Sequence, residues 1–330
     1  MPEPLNIVFL GSDPIALPLL EWLAGEGASV GRVTAVFTQP DRPAGRGQKI
    51  TVNGIKSWAL ARGLPVYQPE KLTEDVRVQL SALSSDVALI MAYGHILKQA
   101  FIDTPRLGTL NLHTSLLPKY RGASPIQTAV ANGERETGVS LMRIVKQLDA
   151  GPVADAERVV IGVLDTALEI EAKLASACVP LLARALPNFA SGELVFTEQD
   201  HAAATFCRKL TKEDGGLNFA DSAAVLAAHI NGLFPWPACS VEIAGQVVKI
   251  GLAEALPATQ QNNPLGYFPG QALGADEVGL KVATGAGVLR LLKLQRSGGK
   301  MLSAGEFLRG FPVVSGTRLA SRPMRVLVTP

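Results

Sequence analysis

The first half of the chain alternates short, solid apolar runs with longer segments of helical period, the pattern of a parallel sheet covered by helices. Leu5 to Leu10 is a compact apolar run that predicts a strand, and Gly11-Ser12-Asp13-Pro14 turns it into a helix over Pro14 to Ala24. Ser12 or Asp13 can cap that helix, and Pro14 occupies its first turn, where a missing N–H is harmless. Val33 to Phe37 predicts a second strand, followed by a loop over Thr38 to Thr51 and a helix capped by Asn53 and running to Arg62. A helix-like region at Leu72 to Leu83 precedes strands at Val87 to Met91 and Thr109 to His113, with a turn at Tyr93-Gly94 between them. Val139 to Ile144 and Arg158 to Ile161 read as later strands, and Leu164 to Leu186 as a long helix.

The pattern changes after Asn188. Ala190 to Arg208 holds no sustained period and predicts a linker crossing the surface. Beyond it, short strand-like runs (Cys239 to Ile243, Gln246 to Ile250, Val278 to Ala283, Val288 to Leu294) alternate with Gly-rich turns, as in a small β-barrel, and Met301 to Arg309 reads as one late helix. The expected fold class is α/β. An N-terminal open, mostly parallel Rossmann-like sheet occupies 1–189, a linker 190–208, and a small OB-like β-barrel domain 209–330.

Composition narrows the choice of function more than of fold. A length of 330 residues makes two domains the default, and 47% apolar with 18% charged residues describes a well-packed chain and excludes disorder. A net charge of +2 leaves no chain-wide commitment to nucleic acid, so any RNA-binding surface has to be local. Cys178, Cys207 and Cys239 are widely spaced, unlike paired zinc ligands, and read as reduced packing residues; no metal is expected. Met1 to Asn6 leads straight into a strand, and no uncharged apolar run reaches membrane-spanning length, which predicts a soluble, cytoplasmic protein.

One strand end carries candidate chemistry. Asn111 and His113 are two residues apart in an apolar run, so in a strand they share one face. Open parallel sheets bind ligands at the carboxyl ends of their strands, where this pair would lie. Gln147-Leu148-Asp149-Ala150-Gly151-Pro152 follows a later strand and sets a carboxylate on a Gly/Pro loop that could be aimed at the same place. A carboxamide, an imidazole and a carboxylate suit acyl transfer to an amine, which needs a base for the attacking nitrogen and donors for a developing oxyanion. The plainer alternative is two satisfied polar residues at a strand end and an ordinary turn aspartate.

The adjoining run, Ser115-Leu116-Leu117-Pro118-Lys119-Tyr120-Arg121-Gly122-Ala123-Ser124-Pro125-Ile126, changes the balance. With Asn111 and His113 ahead of it, it closely resembles the signature of the folate-dependent formyltransferases: Asn-x-His, Ser-Leu-Leu-Pro, then aromatic-Arg-Gly-small-small-Pro. Phe206 to Pro237, with Lys209-Leu210-Thr211-Lys212-Glu213-Asp214-Gly215 and Pro235-Trp236-Pro237, resembles the start of the C-terminal domain in members of that family that act on methionyl-tRNA. Val282 to Leu292 followed by Phe307-Leu308-Arg309-Gly310 does so too.

The resemblance implies transfer of the formyl group of 10-formyltetrahydrofolate, as co-substrate, to the α-amine of methionyl initiator tRNA, by a monomer. It implies that His113 acts as base toward the amine, Asn111 holds the formyl oxygen, and Asp149 orients His113 or a proton-carrying water. It also implies folate contacts at Ser115, Leu116, Leu117 and Pro118, with Ala92, Tyr93, Gly94, Gln147 and Leu148 lining the pterin pocket. The chain departs from the pattern at Gly11-Ser12-Asp13-Pro14, where Gly-Thr-Pro is usual, at Lys98 and Lys119, and most at Val145-Lys146-Gln147, where relatives carry an acidic, glycine-containing loop.

The loop from Thr38 to Lys49 carries Arg42, Arg46 and Lys49 against Asp41, among glycines and prolines that pack no core. It is longer than most connections, which argues for a task beyond joining strands. The resemblance implies that it reaches the tRNA acceptor end, with Arg42 foremost, since a guanidinium pairs with phosphate and stacks on a free base. Arg290, Lys293, Arg296 and Lys300 cluster on one strand and its turn and offer a second backbone contact to the acceptor arm, or form an ordinary solvated face. Two other classes compete. A dinucleotide-binding dehydrogenase would need G-x-G-x-x-G at Gly11 and an acid after Phe37, and neither is present. A non-catalytic RNA-binding protein would tolerate loss of His113. Within the family the neighbouring alternatives are a glycinamide ribonucleotide formyltransferase, which needs no second domain of this size and no basic loop, and a sugar-amine formyltransferase, from which the basic Thr38 to Thr51 loop separates this chain.

Overall fold

Runs that are apolar on every position become central parallel strands because such strands are buried on both faces. In the computed structural model, which describes residues 3–44, 49–256 and 267–330, strands Thr109–His113, Val87–Met91, Leu5–Gly11, Gly31–Phe37 and Val66–Tyr67 lie side by side in that order, each adjacent pair parallel. Glu136–Arg143 joins antiparallel beside Thr109–His113, and Val153–Val160 lies at the edge, making seven strands. Val87–Met91 is buried throughout. One face of the sheet packs Val8, Leu10, Ala35, Phe37, Ala88 and Ile90 into a single apolar cluster with Phe101 and Ile102.

Helix boundaries follow the capping chemistry. Asp13 accepts from the Ile15 N–H, and Asn53 from the Lys56 N–H. The expected helix over 14–24 is a short 3-10 turn, Pro14–Ala16, and then an α-helix, Leu17–Ala24, because Pro18 lacks an N–H and suits only a first turn. The expected loop over 38–51 contains a small hairpin in which Arg42–Ala44 pairs antiparallel with Lys49–Thr51. The long helix runs Ala167–Ser191.

Contacts divide the chain into two units. One comprises Met1–Arg121, Gly138–Val159 and Glu171–Ala204; the other comprises Gly122–Thr137, Val160–Ile170 and Thr205–Pro330. In the second unit an antiparallel sheet runs in the order Cys239–Ile243, Gln246–Leu256, Val288–Arg296, Leu280–Ala283, Ala272–Ala275. Register shifts around Leu252 bend the long Gln246–Leu256 strand, as a small curved sheet requires. Two helices of this unit, Pro125–Ala131 and Ala223–Leu233, are not announced by the hydrophobic pattern. Both are buried nearly all round, so neither shows an apolar stripe. A Cβ on Gly232 would lie 2.2 Å from the Ala131 nitrogen, so the glycine is what lets these two helices touch. Among the described residues, no helix is long and apolar enough to cross a membrane.

Candidate active site

The strand order reverses between Leu5–Gly11 and Val87–Met91, and the loops leaving their carboxyl ends meet there. The Ser12 N–H donates to the Ala92 carbonyl (3.1 Å), and the Gln39 side chain donates to the Tyr93 carbonyl (3.1 Å). The Gln39 N–H in turn donates to the Ser12 hydroxyl (2.9 Å). A cavity of about 350 Å³ opens among Ser12, Asp13, Gln39, Arg42, Ala92, Tyr93 and Gly94. A larger cavity of about 490 Å³ lies in the second unit among residues such as Ala131, Arg135, Val163, Ala224 and Asn231. None of the predicted site residues lines it, so size alone does not choose the site.

Asn111 and His113 end the Thr109–His113 strand on one face, as their spacing requires. His113 is 6% exposed. Its Nε2 lies 3.0 Å from the Tyr120 carbonyl oxygen. A carbonyl only accepts, so Nε2 carries the proton and the lone pair of the neutral ring sits on Nδ1. Nδ1 faces Asp149 Oδ2 at 3.8 Å, too long for a direct hydrogen bond and short enough for strong attraction once the ring is charged. Among the described residues no protein group hydrogen-bonds the Asn111 carboxamide. The structure thus brings His113 and Asp149, thirty-six positions apart in sequence order, to one spot.

Backbone conformation sets apart three of these residues. Of the six non-glycine residues with positive φ among those described, Ala92 (49°) borders the cavity, Tyr120 (58°) carries the carbonyl that meets His113, and Asp149 (47°) faces the His113 ring; none of Asn111, His113 and Asp149 lines the cavity itself. Such conformations are rare for residues with a Cβ and persist only where surroundings hold them. For Asp149 the holder is Gln199. Its Nε2 donates to the Asp149 carbonyl (2.9 Å) and the Gly151 carbonyl (2.7 Å), while its Oε1 accepts from Arg121 Nε (3.1 Å) and a terminal nitrogen (2.7 Å). Arg121 also donates to His201 Nδ1 (3.0 Å). Burial pulls the Arg121 guanidinium below its ordinary range, and the Asp149 charge opposes that pull. Arg121 is inside the Ser115 to Ile126 signature, but Gln199 and His201 lie in a segment without period, which carries no signal of their role.

Ser115–Pro118 forms a bend pinned by Ser140, whose hydroxyl donates to the Ser115 carbonyl (2.7 Å) and accepts from the Leu117 N–H (3.1 Å). The Ser115 hydroxyl donates to the Lys119 carbonyl (2.6 Å) and is fully buried, so its side chain holds the bend; Leu116, Leu117 and Pro118 are half-buried. Ala92 and Gly94 are exposed beside the cavity, while the Tyr93 ring is buried in the sheet cluster, where desolvation pushes its phenol pKa up. Gln147 and Leu148 are exposed on the turn before Asp149.

The basic residues fare differently. Arg42 borders the cavity and pairs with Glu70 at 3.2 Å, both side chains exposed. Arg46 and the Lys49 side chain lie outside the described residues. In the second unit Lys293, Arg296 and Lys300 are exposed, with Arg296 over the Phe311 ring at 6.0 Å. Arg290 is held inside by Glu254 (2.7 Å from Nε) and Asp276 (3.2 Å), so its charge already has two partners.

A family model described as formyl transferase matches residues 5–186, and one described as formyl transferase, C-terminal domain, matches 209–312. The methionyl-tRNA formyltransferase of Thiobacillus denitrificans is 40% identical over 318 residues, covering 96% of this chain and all of the relative. That of Ectopseudomonas mendocina is 41% identical over 304 residues, covering 92% and 94%. Among solved structures, an N-formyltransferase from Helicobacter canadensis in complex with folinic acid and dTDP-3-aminofucose superposes with a TM-score of 0.62 at 17% identity, covering 87% of this chain and 99% of that one. HypX from Aquifex aeolicus in complex with tetrahydrofolic acid gives 0.61 at 17% identity, covering 96% and 51%; both likenesses speak to fold. Matched along nearly its whole length, the chain belongs to the formyltransferase family, among the methionyl-tRNA formyltransferases.

Proposed function

We propose that the chain moves the formyl group of 10-formyltetrahydrofolate to the α-amine of methionyl initiator tRNA in the cytoplasm, with 1–189 as catalytic domain, 190–208 as linker and 209–330 as the domain that grips the acceptor arm. The observation that carries the chemistry is the His113 ring, proton on Nε2 toward Tyr120, lone pair on Nδ1 facing Asp149 at 3.8 Å. Nδ1 takes the proton that the amine loses as its nitrogen attacks the formyl carbon. Asp149 then faces an imidazolium and stabilises it, and the Asn111 carboxamide, without a hydrogen-bond partner among the described residues, donates to the formyl oxygen as it becomes anionic. When the bond from the formyl carbon to the folate nitrogen breaks, the proton held on Nδ1 passes to that nitrogen, leaving tetrahydrofolate and a formamide.

The cavity at the switch point suits a flat heterocycle. Its volume is in the range of small-molecule sites, and its rim supplies backbone groups at Ala92, Tyr93 and Gly94 held in a fixed conformation. Ser115 to Pro118 with Gln147 and Leu148 complete the folate contacts in this reading. Arg42, with Arg46 and Lys49, meets the tRNA end; Lys293, Arg296 and Lys300 meet the backbone further along, and Arg290 supports their strand through Glu254 and Asp276. A formyl-transfer assay with 10-formyltetrahydrofolate decides it: methionyl initiator tRNA should be formylated and free sugar amines should not. Absence of transfer to the charged tRNA would overturn the proposal.

A further inference from the structure

We infer that Gln199 and Arg121 are positioning residues that set the Asp149 carboxylate against His113. The inference rests on the reading of Asp149 as the partner of the His113 base, and deepens it. The orientation of the Gln199 amide is unambiguous. Arg121 can only donate, so Oε1 has to face it; the Asp149 and Gly151 carbonyls can only accept, so Nε2 has to face them. Both N–H groups of one amide therefore bracket the turn that carries Asp149. The same logic leaves His201 Nδ1 unprotonated, since it accepts from Arg121.

The turn needs such a bracket. Asp149 is left-handed at φ 47°, and the Ala150 N–H reaches the Gln147 carbonyl only at 3.4 Å, so the turn's own hydrogen bond holds it weakly. Behind it the backbone is pressed close, since a Cβ on Gly151 would lie 2.0 Å from the Arg143 carbonyl oxygen. Gln199 is 8% exposed and Arg121 4%, so these hydrogen bonds are sheltered from competing water. Arg121 also follows Tyr120 directly, and the Tyr120 carbonyl holds His113 Nε2. One path thus runs from the base by a hydrogen bond to Tyr120, along the backbone to Arg121, and by hydrogen bonds on to Gln199 and the Asp149 turn. Moving either end changes the 3.8 Å separation.

A bland alternative assigns Gln199 the task of satisfying a buried Arg121 and nothing more. Gln199→Glu separates the two. A carboxylate still accepts from Arg121, and more strongly, but has no N–H for the two carbonyls. In the positioning account Gln199→Glu and Gln199→Ala both lower kcat about 10- to 100-fold while KM for 10-formyltetrahydrofolate and for charged tRNA stays within about threefold. Amide exchange at Asp149 to Gly151 quickens in the free Gln199→Glu protein. A Gln199→Glu enzyme with kcat near wild type, a loss carried by KM, or unchanged exchange would overturn it. The exchange measurement needs no acceptor, so it stands even where the wild type proves inactive on charged tRNA, which would count against the proposed substrate alone.

Discussion

The Tyr120 carbonyl oxygen accepts from His113 Nε2 at 3.0 Å, and that single contact decides which nitrogen of the neutral ring carries the proton and which is left bare. The carbonyl owes its direction to a left-handed φ of 58° at Tyr120. Nitrogen NMR of the neutral imidazole should therefore show a protonated Nε2 and a bare Nδ1; the opposite tautomer would remove Nδ1 as the base. His113→Ala should lower kcat by about 10² to 10⁴-fold.

Asp149→Asn keeps a side chain that tolerates the left-handed turn and removes the charge facing Nδ1. Its kcat should fall about 100-fold. Equal kcat in the two proteins would show that the carboxylate charge plays no part in the proton transfer.

Arg42 and Glu70 form an exposed pair, which contributes little to folding. Glu70→Gln should leave the melting temperature in place and lower KM for charged tRNA by freeing the guanidinium. Arg42→Ala should raise that KM and make its dependence on salt shallower by about one unit in the log–log slope. Unaltered salt dependence in Arg42→Ala would take Arg42 out of the tRNA contact.

Arg290 sits between Glu254 and Asp276 in the second unit. Arg290→Ala removes the guanidinium from Glu254, while Asp276 keeps Lys281 at 3.5 Å and the Val278 and Gly279 N–H groups; it should destabilise the protein by about 1–3 kcal/mol, whereas Lys293→Ala and Lys300→Ala, being exposed, should not. Urea unfolding of the three variants makes the comparison; equal midpoints would mean that the Arg290 network carries no stability.

His229 is buried in the second unit with Nε2 2.9 Å from the Asp214 carbonyl. Burial holds its pKa below the ordinary 6.5, against the pull of that hydrogen bond and of the Asp214 charge. The unfolded chain then binds the proton first, so the stability His229 confers is complete above about pH 6.5 and is lost as pH falls from there toward the lowered folded value. Melting temperature followed from pH 7.5 down to 5 should decline in the wild type and be flatter in His229→Gln. Parallel curves would assign the acid loss to other groups.

Strands Val87–Met91 and Thr109–His113 were legible residue by residue, because solid apolar runs between turn residues carry a local signal. The shared face of Asn111 and His113 follows from the period of a strand and nothing else. The helices Pro125–Ala131 and Ala223–Leu233 were not legible, since burial on all sides erases the stripe that periodicity detects.

Residue order was therefore enough for the layered sheet, the strand that presents the carboxamide and imidazole, and the family signature beside it, all of which are written within a few consecutive positions. Which nitrogen of the His113 ring carries the proton, what holds the Asp149 turn, and that Arg290 is engaged internally emerged only in three dimensions. Those contacts join groups 7, 50, 78 and 36 positions apart, and a hydrogen bond between distant segments leaves no period, run or spacing along the chain.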